Sequence, residues 1–184
     1  MAKLLMLFVD GVEDTEAIAT LDVIRRGGDE VVPVSLMKRN DINPKYLEKI
    51  YISKTIEEVD YQAFDGLIIP GGPGSFKVMP LIPITNELIH YFASSHKLVA
   101  SICAAPHLVG KLGYLKGRNF TVHPGFEDQV IGGNYLRDQG VVRDGDFITA
   151  KSMYYSQEFG IAIHAYYHDE ESASRLRKSC QGEQ

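Results

Sequence analysis

The sequence predicts an α/β fold built on an open, mostly parallel sheet, and three observations carry that prediction. Lys3 to Val9 is an unbroken apolar run, as expected of a parallel strand buried on both faces. A helical period, a Gly-Gly pair and a second β-branched run follow at once, giving a strand–helix–strand unit of the kind that crosses over right-handedly. Two later apolar runs, Asp65 to Ile69 and Leu98 to Ile102, stop abruptly at residues unsuited to continuing a strand.

Taken in order, Asp10-Gly11 breaks the first strand, and Glu13 to Arg26 carries apolar residues at Ala17, Ile18, Leu21 and Ile24, a helical spacing. Gly27-Gly28 is expected to end that helix in the left-handed cap conformation. Glu30 to Leu36 is the second strand. Met37 to Tyr61 is less regular, with a short strand near Tyr51-Ile52 and a polar turn or short helix from Thr55. The strand from Asp65 ends at Pro70-Gly71-Gly72-Pro73-Gly74, an amphipathic helix covers Ile84 to Ser94, and the strand ending at Ile102 runs into Cys103.

Beyond the cysteine, Pro106 to Leu112 reads as a helix and Gly113 to Gly117 as a turn region. Phe120 to Val122 reads as a short strand entering His123-Pro124-Gly125. Arg143-Asp-Gly-Asp146 between two β-branched stretches predicts a hairpin. Ser156 to Tyr167 is a helix with Ser156 as its expected N-cap, and helix resumes from Glu170 to Lys178 before the last residues fray. No repeat or linker divides the chain, so residues 1–184 are expected to form one domain.

With 45% hydrophobic and 23% charged residues, the composition is that of a globular protein. The formal net charge of -5 and the lack of a Lys/Arg-rich face argue against nucleic acid as a partner. No apolar run reaches the roughly 18 residues of a membrane span. Cys103 and Cys180 share no metal-type spacing, and no signal peptide is evident at the N-terminus, so a reducing, cytoplasmic setting is expected.

In a parallel sheet, ligands bind outside the carboxyl ends of the strands. Four such ends carry unusual residues: Asp10-Gly11 leading to Glu16, Pro70-Gly71-Gly72, Cys103, and His123-Pro124. A cysteine at a helix N-terminus is a place to stabilise a thiolate, although an unpaired cysteine also serves as a small buried hydrophobe. Gly71 and Gly72 supply a tight turn and, functionally, bare backbone N–H groups that can hold an oxyanion. Glu13 and Asp14 read as solvated acids complementing the helix dipole. A buried Glu16 facing the crevice would have a raised pKa and could carry a proton, but spacing alone does not separate it from those two neighbours. His123 lies at a strand end, and His107, one turn past Cys103, either lines the same pocket or points away and is taken as a supporting residue. His164 and His168 have a metal-binding spacing but no third ligand in the sequence, so a solvated helix end accounts for them and no metal site is assigned.

Four segments then place these residues in a family. Asp10-Gly-Val-Glu-Asp-Thr-Glu16, Leu67-Ile-Ile-Pro-Gly-Gly72, Ala100-Ser-Ile-Cys-Ala-Ala-Pro106 and Thr121-Val-His-Pro124 resemble the ThiJ/PfpI superfamily, in the branch of the parkinsonism-associated protein deglycase often called DJ-one. The resemblance implies a flavodoxin-like three-layer α/β sandwich with a nucleophile elbow holding Cys103. It further implies Glu16 as the protonated acid beside the sulfur, backbone donors at Gly72 and Ala104, His123 nearby, and Arg26 as an arginine near the site.

It implies a homodimer acting without a cofactor on a small carbonyl substrate, as a glutathione-independent glyoxalase or deglycase acting on 2-oxoaldehydes such as methylglyoxal. The alternatives are a redox-sensing or protein-protective role through oxidation of Cys103, or another small-molecule specificity on the same fold. The protease-named branch places a histidine directly after the cysteine; Ala104 stands there in this chain, which argues against proteolysis. Ala150-Lys-Ser-Met-Tyr-Tyr-Ser156 replaces the family's glycine-containing stretch, and its two tyrosines are expected to narrow or re-shape the pocket.

Overall fold

The computed structural model describes residues 1–46 and 48–183. In chain order the strands are β1 (Lys3–Phe8), β2 (Glu30–Ser35), β3 (Asp41–Ile42), β4 (Ile50–Tyr51), β5 (Gly66–Ile69), β6 (Leu98–Ile102), β7 (Asn119–Phe120), β8 (Asn134–Tyr135), β9 (Val141–Asp144) and β10 (Phe147–Ala150). The helices are α1 (Asp14–Arg26), α2 (Pro73–Lys77), α3 (Pro83–Ser94), α4 (Pro106–Lys111), α5 (Ser156–Tyr167) and α6 (Glu170–Gln181). Six strands form the central sheet in the order β2-β1-β5-β6-β10-β9, all parallel except β9, which pairs antiparallel with β10.

Side-chain alternation along the strands builds the three layers. Leu4, Met6 and Phe8 of β1 pack with Ile24 of α1 and Phe159 and Ile163 of α5. Leu5, Leu7 and Val9 face the other way, against Leu88, Ile89 and Phe92 of α3 and Val109 of α4. Both faces of β1 are therefore apolar, as its unbroken run requires. Burying each such side chain contributes about 1.5–3 kcal/mol. Helix α6 lies outside this sandwich, closing on Val23 and Ile161 through Ala173 and Leu176. Pro33 falls within β2 without breaking the sheet because β2 is an edge strand, where one side needs no N–H donor.

Several local expectations are corrected. The stretch from Phe120 to Val122 is not a strand of the main sheet: Asn119–Phe120 pairs with Asn134–Tyr135, and Thr121 is tied to β10 through the Thr149 hydroxyl instead. Ser156 is the first helical residue of α5 rather than its cap, and its hydroxyl donates to the Met153 carbonyl. Gly27 keeps an ordinary helical φ while Gly28 takes the positive one. Helix α6 runs past Lys178 to Gln181 and closes on Gly182 in the left-handed conformation. The expected fraying extends to Gln184, which lies outside the described residues.

The order of the sheet sets where a site can form. From β1 the chain moves outward to β2, then returns to lay β5 on the opposite side of β1. The connections diverge there and leave a crevice beyond the carboxyl ends of β1 and β5. The ends of β6 and β10 border the same crevice.

Candidate active site

Strand β6 ends in a residue that no ordinary strand-to-helix turn would need. Cys103 is one of only three non-glycine residues with positive φ among those described, at 63°. A side chain in that region costs free energy and persists only where its surroundings over-determine it. Here the Cys103 N–H donates to Ala150 O at 2.8 Å, and its carbonyl accepts from His123 N–H at 2.8 Å. The bend thus presents Sγ to the crevice, where it accepts backbone hydrogen bonds from Gly72 and Ala104.

Glu16 stands against the sulfur. It lies in the first turn of α1, is 1% exposed, hydrogen-bonds Cys103, and accepts from Gly71 N–H at 3.0 Å through Oε2. The two glycines of the turn have different tasks. A Cβ on Gly71 would stand 2.5 Å from Glu16 Oε2 and 2.6 Å from Cys103 Cβ, so that residue is glycine for space. Gly72 has φ +86 and needs glycine for its backbone conformation.

Glu13 and Asp14 are not solvated acids. Both are buried; Glu13 caps α1, its carboxylate accepting from Glu16 N–H at 2.8 Å, and Asp14 Oδ2 accepts from Tyr46 N–H at 3.0 Å. A cap three residues before Glu16 was a local signal available in the sequence.

Burial dominates the electrostatics. It pushes the Glu16 carboxyl up to about 7, with the Glu13 charge adding to the rise and the bonds from Cys103 and Gly71 opposing it. Burial, then the charge and hydrogen bond of Glu16, push the Cys103 thiol up to about 12 against the pull of the Gly72 and Ala104 N–H groups. Against the expectation of a helix N-terminus at the cysteine, helix α4 is short and begins three residues beyond it, and burial acts on the sulfur against its charged form. The two groups exchange protons as a unit.

The remaining candidates divide. His123 borders the same pocket, its Nδ1 donating to Pro124 O at 2.9 Å, which leaves Nε2 open. His107 is buried behind it. Burial holds its imidazole below the usual range, and Nδ1–H donates to Ala104 O at 2.6 Å, fixing the turn that follows the cysteine. Arg26 is not brought to the site: it closes the far end of α1, about 15 Å along the axis from Glu16, and pairs with Asp22 at 2.6 Å. Lys45 is the cation that the pocket contains, carried in by the irregular excursion after β2. No local pattern marked it.

The pocket has a volume of about 240 Å³ and is lined on its remaining side by Tyr46, Ser152 and Met153. The expected narrowing by tyrosines is thus corrected. Tyr154 is 81% exposed, and Tyr155 packs over Gly140. A larger groove of about 420 Å³, lined by Leu36, Ile56, Tyr61 and Ile84 among others, contains no cysteine or histidine. Its size does not make it the chemical site.

One further expectation fails at the opposite edge of the sheet. His164 and His168 do not decorate a solvated helix end; His164 is 1% exposed, and both rings contact the buried Asp29.

Comparison with known proteins places the chain in a family and matches its fold. A model described as the DJ-1/PfpI family matches residues 2–165. A protein of Pyrococcus abyssi named a deglycase is 33% identical over 150 residues, covering 81% of this chain and 89% of that protein. Protein dj-1beta of Drosophila melanogaster is 29% identical over 160 residues, 86% of each chain. The crystal structure of Drosophila melanogaster DJ-1beta superposes with a TM-score of 0.90 at 26% identity, covering 98% of this chain and 97% of that one.

Proposed function

The chain belongs to the DJ-1/PfpI family, and from that premise we propose that it is a cysteine-dependent, glutathione-independent glyoxalase or deglycase-like enzyme acting on small 2-oxoaldehydes such as methylglyoxal. The observation that carries the reading is the contact between Cys103, held at positive φ, and a Glu16 carboxyl that titrates at about 7. A group with that proton affinity works both as base and as acid at neutral pH. The small pocket and the relatives named as deglycases support a compact carbonyl substrate.

The chemistry proceeds as follows. Cys103 Sγ attacks the aldehyde carbon while its proton passes to the Glu16 carboxylate. The N–H groups of Gly72 and Ala104 stabilise the oxyanion that forms, and Glu16 returns the proton to that oxygen to complete a hemithioacetal. Glu16 next removes the hydrogen on the former aldehyde carbon and delivers it to the adjacent carbonyl carbon through an enediol, leaving a 2-hydroxy thioester. Water cleaves the carbon–sulfur bond, its hydroxyl going to the acyl carbon and its proton to sulfur. The sum is 2-oxoaldehyde plus water giving a 2-hydroxy acid, with the thiol regenerated. Lys45 and His123 line the pocket, and their role in the proposal is to orient the substrate's oxygens.

The test is lactate formation from methylglyoxal with no glutathione present. Turnover that survives unchanged in Cys103→Ser sinks the proposal.

A second reading is a redox role, favoured by the same pair of backbone donors at the sulfur. They would equally hold the oxygens of a sulfinate, with Glu16 as a further partner. Mass spectrometry after mild peroxide separates the two: stoichiometric oxidation confined to Cys103 in a protein without turnover favours the sensor. A homodimer and a cytoplasmic location complete the proposal. Both cysteines are free, and no helix among the described residues is long and apolar enough to cross a membrane. Light scattering in solution tests the dimer.

A further inference from the structure

A second polar cluster lies at the opposite edge of the sheet, where β1 and β2 begin, and the proposed chemistry does not use it. Asp29, in the turn between α1 and β2, has no solvent-exposed side-chain surface. Its Oδ1 accepts from Ala2 N–H at 2.7 Å, and three further contacts tie it to two imidazoles. His164 Nδ1 lies 2.9 Å from Oδ2, and His168 Nε2 lies 2.9 Å from Oδ1 and 3.0 Å from Oδ2. The two rings stack with centroids 4.2 Å apart.

We propose that Asp29, His164 and His168 form a binding site for a divalent transition-metal ion of the zinc type, with a fourth coordination position open to solvent beside His168. Two imidazole nitrogens and a carboxylate oxygen are a donor set that suits zinc and similar ions. The three ligand atoms, one from each residue, all lie within 4.8 Å of one another. Around a tetrahedral ion at about 2.0–2.1 Å, ligand atoms stand roughly 3.3 Å apart, so the carboxylate–imidazole contacts need to open by only a few tenths of an ångström.

The surroundings are those of a built site. His164 Nε2 lies 2.9 Å from the Ser172 hydroxyl, an outer partner that can accept the ring's proton there and leave Nδ1 free to bind. The neutral ring only moves its proton from one nitrogen to the other. Space for the ring comes from Gly27, where a Cβ would stand 2.6 Å from His164 Nδ1. Arg26 and Arg175, which line the cleft over His164, are each paired with an acid, Asp22 and Glu171. The side chain of His168 is 27% exposed, which gives an ion an entry path and a place for water.

The experiment uses the full, tag-free chain carrying Cys103→Ser, so that the thiol at the other edge cannot compete. Calorimetric titration with Zn²⁺ is expected to show one saturable equivalent. Co²⁺ is expected to give visible d–d absorption without the near-ultraviolet band of a sulfur ligand, which excludes Cys180. His168→Ala, a change at a partly exposed ring, is expected to weaken binding at least about tenfold, and Asp29→Asn to do the same where it folds. In the parent protein, zinc is expected to shift the ring NMR signals of His164 and His168 and leave those of His123 in place, a readout that needs no variant. Absence of saturable binding, a sulfur-to-cobalt band, or equal affinity in His168→Ala would overturn the assignment and leave a hydrogen-bonded triad.

Discussion

Glu16 and Asp29 are both buried carboxylates packed against a proton-bearing partner, one at each edge of the same sheet, yet their proton affinities move in opposite directions. Glu16 accepts a single backbone N–H, faces a thiol, and has the acid Glu13 beside it; desolvation wins and the carboxyl rises to about 7. Asp29 also exposes no side-chain surface, but it is less deeply enclosed, receives a backbone N–H and two imidazoles, and is held low. Burial alone therefore does not decide whether a carboxyl stores a proton or a charge; the number and sign of its partners do. The carboxyl edge of the sheet is poised to move protons, and the amino edge to hold a cation.

The largest test of this contrast removes the proton carrier. Glu16→Gln keeps an oxygen for Gly71 N–H but cannot titrate, and turnover of 2-oxoaldehydes is expected to fall about 10³-fold, within the range of general acid–base contributions. Steady-state kinetics would also show the loss of the inflection near pH 7. An unchanged rate would remove Glu16 from the chemistry.

Next in size is the effect of pH on stability. The folded-state pKa of Glu16 lies above its ordinary value of 4.5, so the native state binds the extra proton between pH 4.5 and about 7. Stability therefore declines as pH rises through that window, by about 3 kcal/mol in total at 1.36 kcal/mol per unit. Urea unfolding across the window is expected to show the slope in wild type and a flatter line in Glu16→Gln. Asp29 carries the opposite sign. Its stabilisation is present above the unfolded-state pKa and is lost as acid takes the pH down through the depressed folded value.

Asp29→Asn sharpens that second arm. It retains an acceptor for Ala2 N–H but loses the charge that strengthens the histidine bonds, and about 2 kcal/mol of stability at neutral pH is expected to go with it. A loss confined to acid pH would mean that the histidines do not depend on the charge. Gly71→Ala places a methyl against Glu16 Oε2, Cys103 Cβ and the Ile102 carbonyl. Chemical denaturation is expected to show a cost of roughly 1–2 kcal/mol, and activity should fall with it as the pair is forced apart. The smallest expected effect is at Lys45, a cation at the pocket rim: Lys45→Gln should raise KM about twofold to threefold and leave kcat nearly unchanged.

How far these features could be read from the sequence follows from the range of the interactions behind them. Strands β1, β5 and β6 and helices α1, α3 and α5 were legible because apolar spacing over a few residues sets them. The abrupt ends at Gly71-Gly72 and Cys103 were legible for the same reason. The strand expected at Phe120 to Val122 was not, because β-branched residues also suit an extended segment whose pairing goes to a side chain of β10. Tyr154 and Tyr155 misled because composition does not reveal which way a loop faces; Ser152 and Met153 turned inward instead. Arg26 was placed near the site by resemblance, whereas helical rise puts it at the far end of α1. Lys45 had no local signature at all.

The strand–helix alternation, the apolar faces that make three layers, and the residue types at the strand ends depend on neighbours one or two turns away. How tightly each carboxyl holds its proton depends on partners that come from afar: Gly71 reaches Glu16 across 55 residues, and His164 reaches Asp29 across 135. A pKa is a balance of desolvation against such contacts, and neither exists until the chain has closed around the group.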